Sequence, residues 1–224
     1  MKQILNIMLI VVIGTSALTA QDDGRSGFLF EEGNVLLSGF GGPLVELTLI
    51  NGCFAVCSGG GGALLLNQSL FVGGYGMNLQ TQHFREDLTQ IVDIDKPMLY
   101  LNHGGLWMGY VHKHEKPLHF GFSVKVGGGE ISLIDQYFNY PFIDERKAVD
   151  KVFVLTPQIE FEMNFTSWMK MNIGAGYRYV GGIDKAYQVT GQEIVRYYEN
   201  KDFNTPFLSL GFLFGWFDQA KREI

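Results

Sequence analysis

Glutamates, lysines and an arginine recur at alternate positions in the second half of the sequence, and these residues could do chemistry. The set comprises Glu160, Glu162, Lys170, Arg178 and, further upstream, Lys125. Every second side chain of an extended chain points to the same face, so we expect these charges to meet on the polar side of a sheet. Opposite charges placed in this way predict a structural salt-bridge network, and the alternative is a path for ions or solutes.

A hydrolase needs a nucleophile and a base, and Ser123 and His119 have the residue types and the spacing to share a face. That face also carries Gly121 and Lys125, which places the pair on the polar side, away from any lipid substrate. The sequence contains no phosphate loop, dinucleotide fingerprint or nucleophile elbow. We predict no catalytic residues and no cofactor, with a lipid A-modifying hydrolase as the alternative hypothesis.

Metal and thiol chemistry have weaker signals. His112-Lys113-His114-Glu115 could bind a metal ion, because alternate strand residues share a face, but a hydrated turn is the simpler interpretation and we predict no metal site. Cys53 and Cys57 fall on one predicted strand, about 13 Å apart at ~3.3 Å per residue. A disulfide needs Cα atoms within about 7 Å, so we predict two packing residues instead of a bridge.

The elements that must position these residues are strands, because apolar and polar residues alternate with a period of two along most of the chain. The predicted strands are residues 34–50, 53–66, 69–79, 98–112, 117–127, 150–164, 168–181 and 205–217. The predicted links alternate between short ones (67–68, 113–116, 165–167) and long ones (80–97, 128–149, 182–204). Asn51-Gly52 is the exception, because Asn-Gly between two alternating runs predicts a tight hairpin.

The apolar face of these strands is too hydrophobic to be exposed to water. In the last strand it carries Leu208, Leu210, Phe212, Phe214 and Trp216. Such a strand would aggregate unless lipid covers that face and closure removes its edge. The pattern predicts an all-β fold, a closed antiparallel up-and-down transmembrane barrel of eight strands. The same alternation turned inside out fits a soluble periplasmic lipocalin-like lipid carrier, so the orientation stays open.

Local features refine this prediction. A three-residue turn at 165–167 would place Glu162 opposite Lys170 and Glu160 opposite Asn172. Repeated glycines predict curvature or bulges, and the run 59–62 belongs either to the second strand or to a loop that splits it. Aromatics that could sit at the membrane–water interfaces are Tyr100, Tyr110, Tyr177, Tyr179 and Trp216.

The long loops have two notable compositions. One is aromatic, and its residues could contact a ligand, a sugar or a host surface, or fold down onto the barrel rim: Tyr137, Phe138, Tyr140, Phe142, Tyr197 and Tyr198. The other is acidic, and its carboxylates could share divalent cations with lipopolysaccharide phosphates or simply be solvated.

The N-terminus has the order of a secretory signal peptide: a basic start at Lys2, an apolar run, and small residues up to Ala20. We predict cleavage after Ala20. The predicted organisation is then a signal peptide (1–20), an N-terminal periplasmic segment (21–33), the barrel (34–217) and a C-terminal tail (218–224). A formal net charge of -6 argues against nucleic acid as a partner.

Together with this signal and these links, Gly39-Phe40-Gly41-Gly42-Pro43 and Gly73-Gly74-Tyr75-Gly76 resemble the small outer-membrane barrels of the OmpA/OmpX-like type, including those of Bacteroidota. The resemblance covers residues 28–217. It implies the outer membrane of a Gram-negative cell, contact with lipid and lipopolysaccharide, and the barrel-insertion machinery as a partner. It implies a non-enzymatic, structural or surface-interaction role through long external loops, whose ligand is unknown. Members often end on an aromatic residue, whereas residues 218–224 follow Phe217, so the insertion signal is internal or different.

Overall fold

Antiparallel strands make up most of the chain that the computed structural model describes, residues 36–135, 147–189 and 193–217. The strands are β1 (Leu37–Ile50), β2 (Cys53–Leu66), β3 (Leu70–Leu79), β4 (Pro97–His112), β5 (Leu118–Asp135), β6 (Lys147–Asn164), β7 (Met169–Gly181), β8 (Ala186–Val189), β9 (Glu193–Arg196) and β10 (Thr205–Gly215). Short 3-10 turns lie at Glu86–Leu88 and Asn200–Asp202, and a single helical turn, α1, spans Thr89–Val92.

Eight of these strands close into a barrel in the order β1-β10-β7-β6-β5-β4-β3-β2, while β8 and β9 form a separate two-stranded hairpin. Each barrel strand pairs antiparallel with its neighbours, and β10 closes the barrel against β1. The predicted fold class is confirmed. The predicted signal peptide (1–20), the periplasmic segment (21–33) and the tail (218–224) lie outside the described residues, as do Tyr137, Phe138, Tyr140 and Phe142.

The apolar face of each strand points outward. On β6, Phe161 is 59% exposed while its neighbour Glu162 is 3% exposed. Phe212 on β10 is also exposed, and Lys170 on β7 is buried. This orientation is the opposite of what a soluble lipid carrier requires, because such a carrier keeps its apolar side chains inside. No helix in the described residues is long and apolar enough to cross a membrane.

The barrel has a short-turn end and a long-loop end. The short-turn end comprises the links β2–β3, β4–β5 and β6–β7, and the long-loop end comprises β3–β4, β5–β6 and the β7–β10 connection. Asn51 and Gly52 form the tight hairpin predicted at the long-loop end, with φ of 48° and 76°. Both residues therefore adopt the left-handed conformation that a two-residue hairpin turn needs.

The β6–β7 turn differs from the prediction by two residues. Asn164, not Glu162, pairs with Lys170, and Glu162 pairs with Asn172. The amides of Phe165 and Thr166 both donate to the Met169 carbonyl, at 3.1 Å each, which makes the turn wider than three residues. The number of residues between paired positions stays odd, so the inward and outward faces are as predicted.

Strand β5 is longer than predicted, and the β5–β6 link is correspondingly shorter. Gly127, Gly128 and Gly129, which were predicted to end the strand, pair in register with residues 152–154 of β6. The pairing of β5 with β6 shifts in register between Ile131 and Leu133. The extension exists because both residues are buried in the apolar core at the long-loop end.

Glycines on the inward face make room for large side chains. The run 59–62 continues β2 in register with β1, so the loop alternative is wrong. A Cβ built on Gly61 would lie 3.0 Å from the ring of Trp107, so the indole packs directly on this strand. Cys57 is buried on the same face, but Cys53 is exposed at the strand end, so the prediction of packing was wrong for Cys53.

Candidate functional site in the barrel interior

At mid-barrel, Lys125 on β5 connects to two other strands. Its ammonium donates to Glu46 Oε1 at 2.9 Å and to Gln158 Oε1 at 3.4 Å. Lys125 and Glu46 are both fully buried, and a buried pair of this kind depends strongly on both partners. Sequence reasoning missed Glu46. The available signal was its place between Val45 and Leu47, where a carboxylate interrupts an apolar strand.

Glu160 collects several hydrogen bonds one layer closer to the short-turn end. Its Oε1 accepts from Ser123 Oγ at 2.5 Å and also from Gln158 Nε2, and its Oε2 accepts from Asn172 Nδ2 at 2.8 Å. Trp107 Nε1 donates to Ser123 Oγ at 3.1 Å. Ser123 is therefore both a donor and an acceptor within a packed interior.

Glu162 forms the next layer. His119 Nε2 lies 3.0 Å from Glu162 Oε2, and Lys170 Nζ donates to the same oxygen at 3.3 Å. The other ring nitrogen of His119 lies 3.0 Å from the Lys116 carbonyl. His119 and Ser123 share the inward face, as the sequence indicates, but each is bound to a different glutamate. His119 is thus held in the ion-pair layer of Glu162 and Ser123 in the hydrogen-bonded layer of Glu160, so the two do not form a base and a nucleophile.

Arg178 lies at the level of the Lys125–Glu46 pair, because Cys57, which it contacts, pairs with Glu46 across β1 and β2. It is buried on β7, and its Nη1 contacts Cys57 Sγ at 3.6 Å. Its Nε and Nη2 have no hydrogen-bond partner among the described residues. The structure therefore divides four of the five predicted polar residues between two groups of contacts, Lys125 with Glu160 through Gln158 and Glu162 with Lys170, and leaves the fifth beside a thiol.

Charged side chains of both signs are buried inside the barrel. They are four carboxylates (Glu46, Asp150, Glu160, Glu162) and three basic side chains (Lys125, Lys170, Arg178). An eight-stranded barrel is just wide enough for side chains to fill its interior. Ion pairs and close hydrogen bonds hold these side chains in place, and we interpret them as structural contacts inside a packed lumen.

The lumen is apolar at the long-loop end. Buried side chains from the strands meet buried side chains from the loops, and the cluster includes Leu99, Leu101, Ile131, Leu133, Val152, Val154, Leu88, Val92, Tyr197 and Phe203. We call this cluster the apolar cap. The apolar cap closes the barrel at its long-loop end, which the sequence pattern alone does not predict. Tyr197 and Tyr198 are buried in it, so these two loop aromatics fold onto the barrel rim.

Arg85 ties two loops of the apolar cap together. Its Nη1 donates to the Tyr197 carbonyl, its guanidinium lies 5.1 Å from the Tyr198 ring centre, and it forms an ion pair with Asp87 at 2.7 Å. The hydrogen bond from Arg85 lowers the pKa of Asp87. Burial raises the pKa of Tyr198 to about 12.

The predicted interfacial aromatics lie near the two rims. Tyr177 and Tyr179 are exposed near the long-loop end, with ring centres 4.7 Å apart, while Tyr110 and Trp216 are exposed near the short-turn end. Tyr100 is half-buried, and its hydroxyl accepts from Asn102 Nδ2 at 3.0 Å. Exposed Trp168, which was not predicted, stacks on Phe214 beside Trp216. Their membrane role stays a prediction.

The histidines of the β4–β5 turn do not form a ligand set. The His112 ring packs on Phe120 at 4.9 Å, outside the barrel, whereas the His114 carbonyl accepts from Asn164 Nδ2 at 3.1 Å. Among the described residues, no three His, Cys, Asp or Glu side chains come close enough to hold a metal ion.

No protein-family model matches the sequence, and no curated protein matches it. Several solved structures do match this chain. Neisserial surface protein A (NspA) is 10% identical, with a TM-score of 0.51 over 80% of this chain and 96% of that chain. The outer membrane protein OprG of Pseudomonas aeruginosa is 9% identical, with a TM-score of 0.46 over 80% and 95%. Ail, the attachment invasion locus protein of Yersinia pestis, solved with the heparin analogue sucrose octasulfate, is 11% identical, with a TM-score of 0.44 over 80% and 97%.

These proteins are small eight-stranded outer-membrane barrels. At such low identity, the likeness to NspA shows a shared fold and nothing about ligands or partners. The fold is the one that the sequence resemblance implied.

Proposed function

We propose that this chain is an integral outer-membrane β-barrel with a structural or surface-interaction role, without enzymatic activity and without an open solute channel. The observation that carries the proposal is the inverted arrangement of the barrel wall. Exposed Phe161, Ile159 and Leu208 cover the outside, while Glu46 and Glu162 are buried with basic partners and Glu160 is buried with hydrogen-bond donors. Only lipid would shield such an outer surface, and closed barrels satisfy all backbone hydrogen bonds within it.

Two layers of packing support a closed lumen. Ion pairs and hydrogen bonds fill the middle, and the apolar cap fills the long-loop end. An ion crossing the barrel would have to break Lys125–Glu46 and then pass the apolar side chains of the cap, where the buried carboxylate of Asp150 already accepts from the Tyr197 hydroxyl at 2.8 Å. The interior residues act as structural elements in this proposal.

The working surface is then the long-loop end, which in this class of barrel faces outward from the cell. The β8–β9 hairpin projects there, with Ile194 68% exposed. The described parts of the β3–β4 and β7–β10 connections pack into the apolar cap through Leu88 and Tyr197, and this packing favours recognition of a partner over random contact. Lipopolysaccharide is the neighbouring molecule at this level.

Biogenesis follows from the same proposal. Export requires cleavage of the signal peptide, which we place after Ala20, and insertion requires the barrel-insertion machinery. N-terminal sequencing of the mature protein tests the first step, and we expect Gln21 as the first residue. Any other start shifts the boundary without affecting the barrel.

Membrane fractionation with heat-modifiability gels tests the proposal itself. We expect the protein in outer-membrane fractions, extractable only with detergent, and we expect unboiled and boiled samples to migrate differently because a closed barrel resists detergent when cold. Recovery in buffer without detergent, or a membrane protein with no mobility shift, would contradict the proposal. Lipid A of unchanged mass in cells that overproduce the protein is the expected result for a barrel without enzymatic activity.

A further inference from the structure

The short-turn end of the barrel holds a polar pocket that the proposed function does not use. Its volume is about 440 Å³. All three short turns contribute to it, through Gln68, Glu115 and Phe165, and Phe217 adds a wall where the chain leaves β10. Phe217 is held in place, because its amide donates to the Ser167 carbonyl at 3.0 Å and Lys170 Nζ lies 4.4 Å from its ring centre. The pocket is therefore built by the turns that close the barrel at this end.

Gln68 presents an unsatisfied side chain to this pocket. The residue is only 5% exposed, and neither Nε2 nor Oε1 has a hydrogen-bond partner among the described residues. A buried donor or acceptor left without a partner is costly, so a carboxamide in this state needs a group from outside the barrel. Gln68 thus offers one double donor and one acceptor at a fixed position.

Asn164 supplies a second acceptor. Its Nδ2 is used by the β4–β5 turn, donating to the carbonyls of His114 and Lys116 at 3.1 and 3.0 Å. Its Oδ1 is buried and has no partner within the described chain. The two amides therefore face the pocket with both donor and acceptor capacity, while the position of Asn164 is fixed by the turn.

The remaining lining limits the chemistry of a ligand. Glu115 is the carboxylate among the lining residues, and burial lowers the pKa of His114, which keeps that imidazole neutral at pH 7. Among the described residues that line the pocket there is no lysine or arginine, so these residues offer a phosphate group no charge partner. Phe165 and Phe217 add apolar ring faces. Amides and hydroxyls beside aromatic rings suit a neutral ligand rich in hydroxyl and amide groups, with apolar faces between them.

We propose that this pocket binds a segment of an N-acetylated glycan chain. Acetamido groups match the free carboxamide of Gln68 and the free Oδ1 of Asn164, and sugar ring faces match Phe165 and Phe217. A pocket of this volume fits a unit of about two sugars. The inference rests on the proposed function, which identifies where the glycan comes from. The short turns of an outer-membrane barrel face the periplasm, where the cell-wall glycan lies.

Titration of the purified full chain in detergent with a β-1,4-linked N-acetylglucosamine tetramer, followed by calorimetry, tests this. Gln68→Gly is the test variant. Gln68 has φ of 59°, a conformation that glycine adopts freely, so the turn should fold without the side chain. Asn51→Gly is the matched control, because Asn51 has φ of 48° in the tight turn at the opposite end. We expect wild type and Asn51→Gly to bind equally and Gln68→Gly to bind at least tenfold more weakly.

Several results would overturn the inference. One is no binding by the wild type, and another is equal binding by Gln68→Gly. Equal binding of maltotetraose, a glucose tetramer that lacks acetamido groups, would remove the proposed basis of recognition. A chain ending at Phe217 that binds the sugar when the full chain does not would make residues 218–224 the occupant. The heat-modifiability gel on the same samples keeps this test separate, since a missing mobility shift bears on the barrel and not on the pocket.

Discussion

At the scale of single residues, the buried ion pair between Lys125 and Glu46 is the contact with the largest consequence. The two residues are 79 positions apart, and the 2.9 Å contact joins opposite parts of the barrel wall. Removal of one partner leaves an uncompensated charge in a place without water. Replacement of both leaves none, which is why a buried pair is costly to break and cheap to exchange.

We therefore expect Lys125→Met and Glu46→Gln each to lower the free energy of unfolding by about 3–5 kcal/mol. The double variant should be destabilised by less than the sum of the two, with a difference above about 1 kcal/mol. Urea unfolding of the barrel refolded into lipid vesicles measures all four members of this cycle. Strict additivity would mean that the two side chains do not interact in the folded protein.

Tyr198 gives the long-loop end a dependence on alkaline pH. Burial raises its pKa to about 12 from an ordinary value of 10.0. Below pH 10 the hydroxyl is protonated in both states, and the stability that this group confers is complete. Between pH 10 and 12 the unfolded chain loses the proton first, so stability falls as pH rises through the folded pKa.

We expect wild type to lose more stability between pH 10 and pH 12 than Tyr198→Phe does, measured as the shift of the urea midpoint. The variant keeps the ring over Arg85 but has no proton to lose. Tyr110→Phe, at an exposed tyrosine, is the control and should follow wild type. The same midpoint shift in all three proteins would show that Tyr198 does not titrate in this range.

How much of the interior could be predicted differs from residue to residue. Glu160, Glu162 and Lys170 stand out because charge alternates with apolar residues over a long stretch. Glu46 carries the same signal more weakly, in a strand without other charges on that face, and Gln158 shares the face of Glu160 and Glu162 but is uncharged. Arg178 was placed on the correct face, but its neighbour Cys57 comes from a strand 121 positions away, which no local pattern reveals.

At the scale of the elements, glycines set how closely large side chains approach the wall. Trp107 lies against Gly61, packs edge-on against Phe40 and Phe71, and donates to Ser123. The indole is thus fixed from several sides. A side chain at position 61 has no room unless the whole aromatic group moves.

We expect Gly61→Val to destabilise the barrel by about 1–3 kcal/mol through overpacking. Gly76→Val is the matched control, because a Cβ on Gly76 meets nothing within 4 Å, and a β-branched residue suits a strand. Urea unfolding in vesicles compares the two. A loss of stability in both would point to a general demand for glycine in these strands instead of the contact with Trp107.

Strand positions followed from the sequence, but strand ends and register did so only in part. The ends of β1 and β2 at Asn51-Gly52 were predicted because that turn has a strong local signal. The end of β5 and the pairing of Asn164 with Lys170 were not. They depend on which apolar residues the loops bury and on how the turn amides share the Met169 carbonyl, and both are contacts between distant or irregular segments.

At the scale of the whole molecule, the apolar side chains on the outer face of the barrel require lipid around them. A lipid-facing arginine is most costly at the middle of the bilayer and costs little at the interface. Leu210 pairs with Val45 and Ile173 near the middle of the wall, whereas Tyr179 lies near the long-loop rim. Both side chains are exposed.

We expect Leu210→Arg to lower the free energy of unfolding in vesicles by about 2–4 kcal/mol and Tyr179→Arg by about 0–1 kcal/mol. The difference arises from depth, since the substitution is the same and both positions face outward. Equal effects at the two positions, or no effect at either, would be incompatible with a barrel whose wall spans a bilayer.

The sequence by itself determined the number of barrel strands, their alternating faces, the tight Asn51-Gly52 turn and the group of charges that share a face. These are local properties, carried by a period of two and by turn residues. Only the tertiary structure decided which face points inward, that Lys125 meets Glu46, and that Tyr197 and Phe203 join the apolar cap. The reason is that closure of the barrel brings together residues far apart in the chain, and the alternation of polar and apolar residues is the same for a barrel turned inside out.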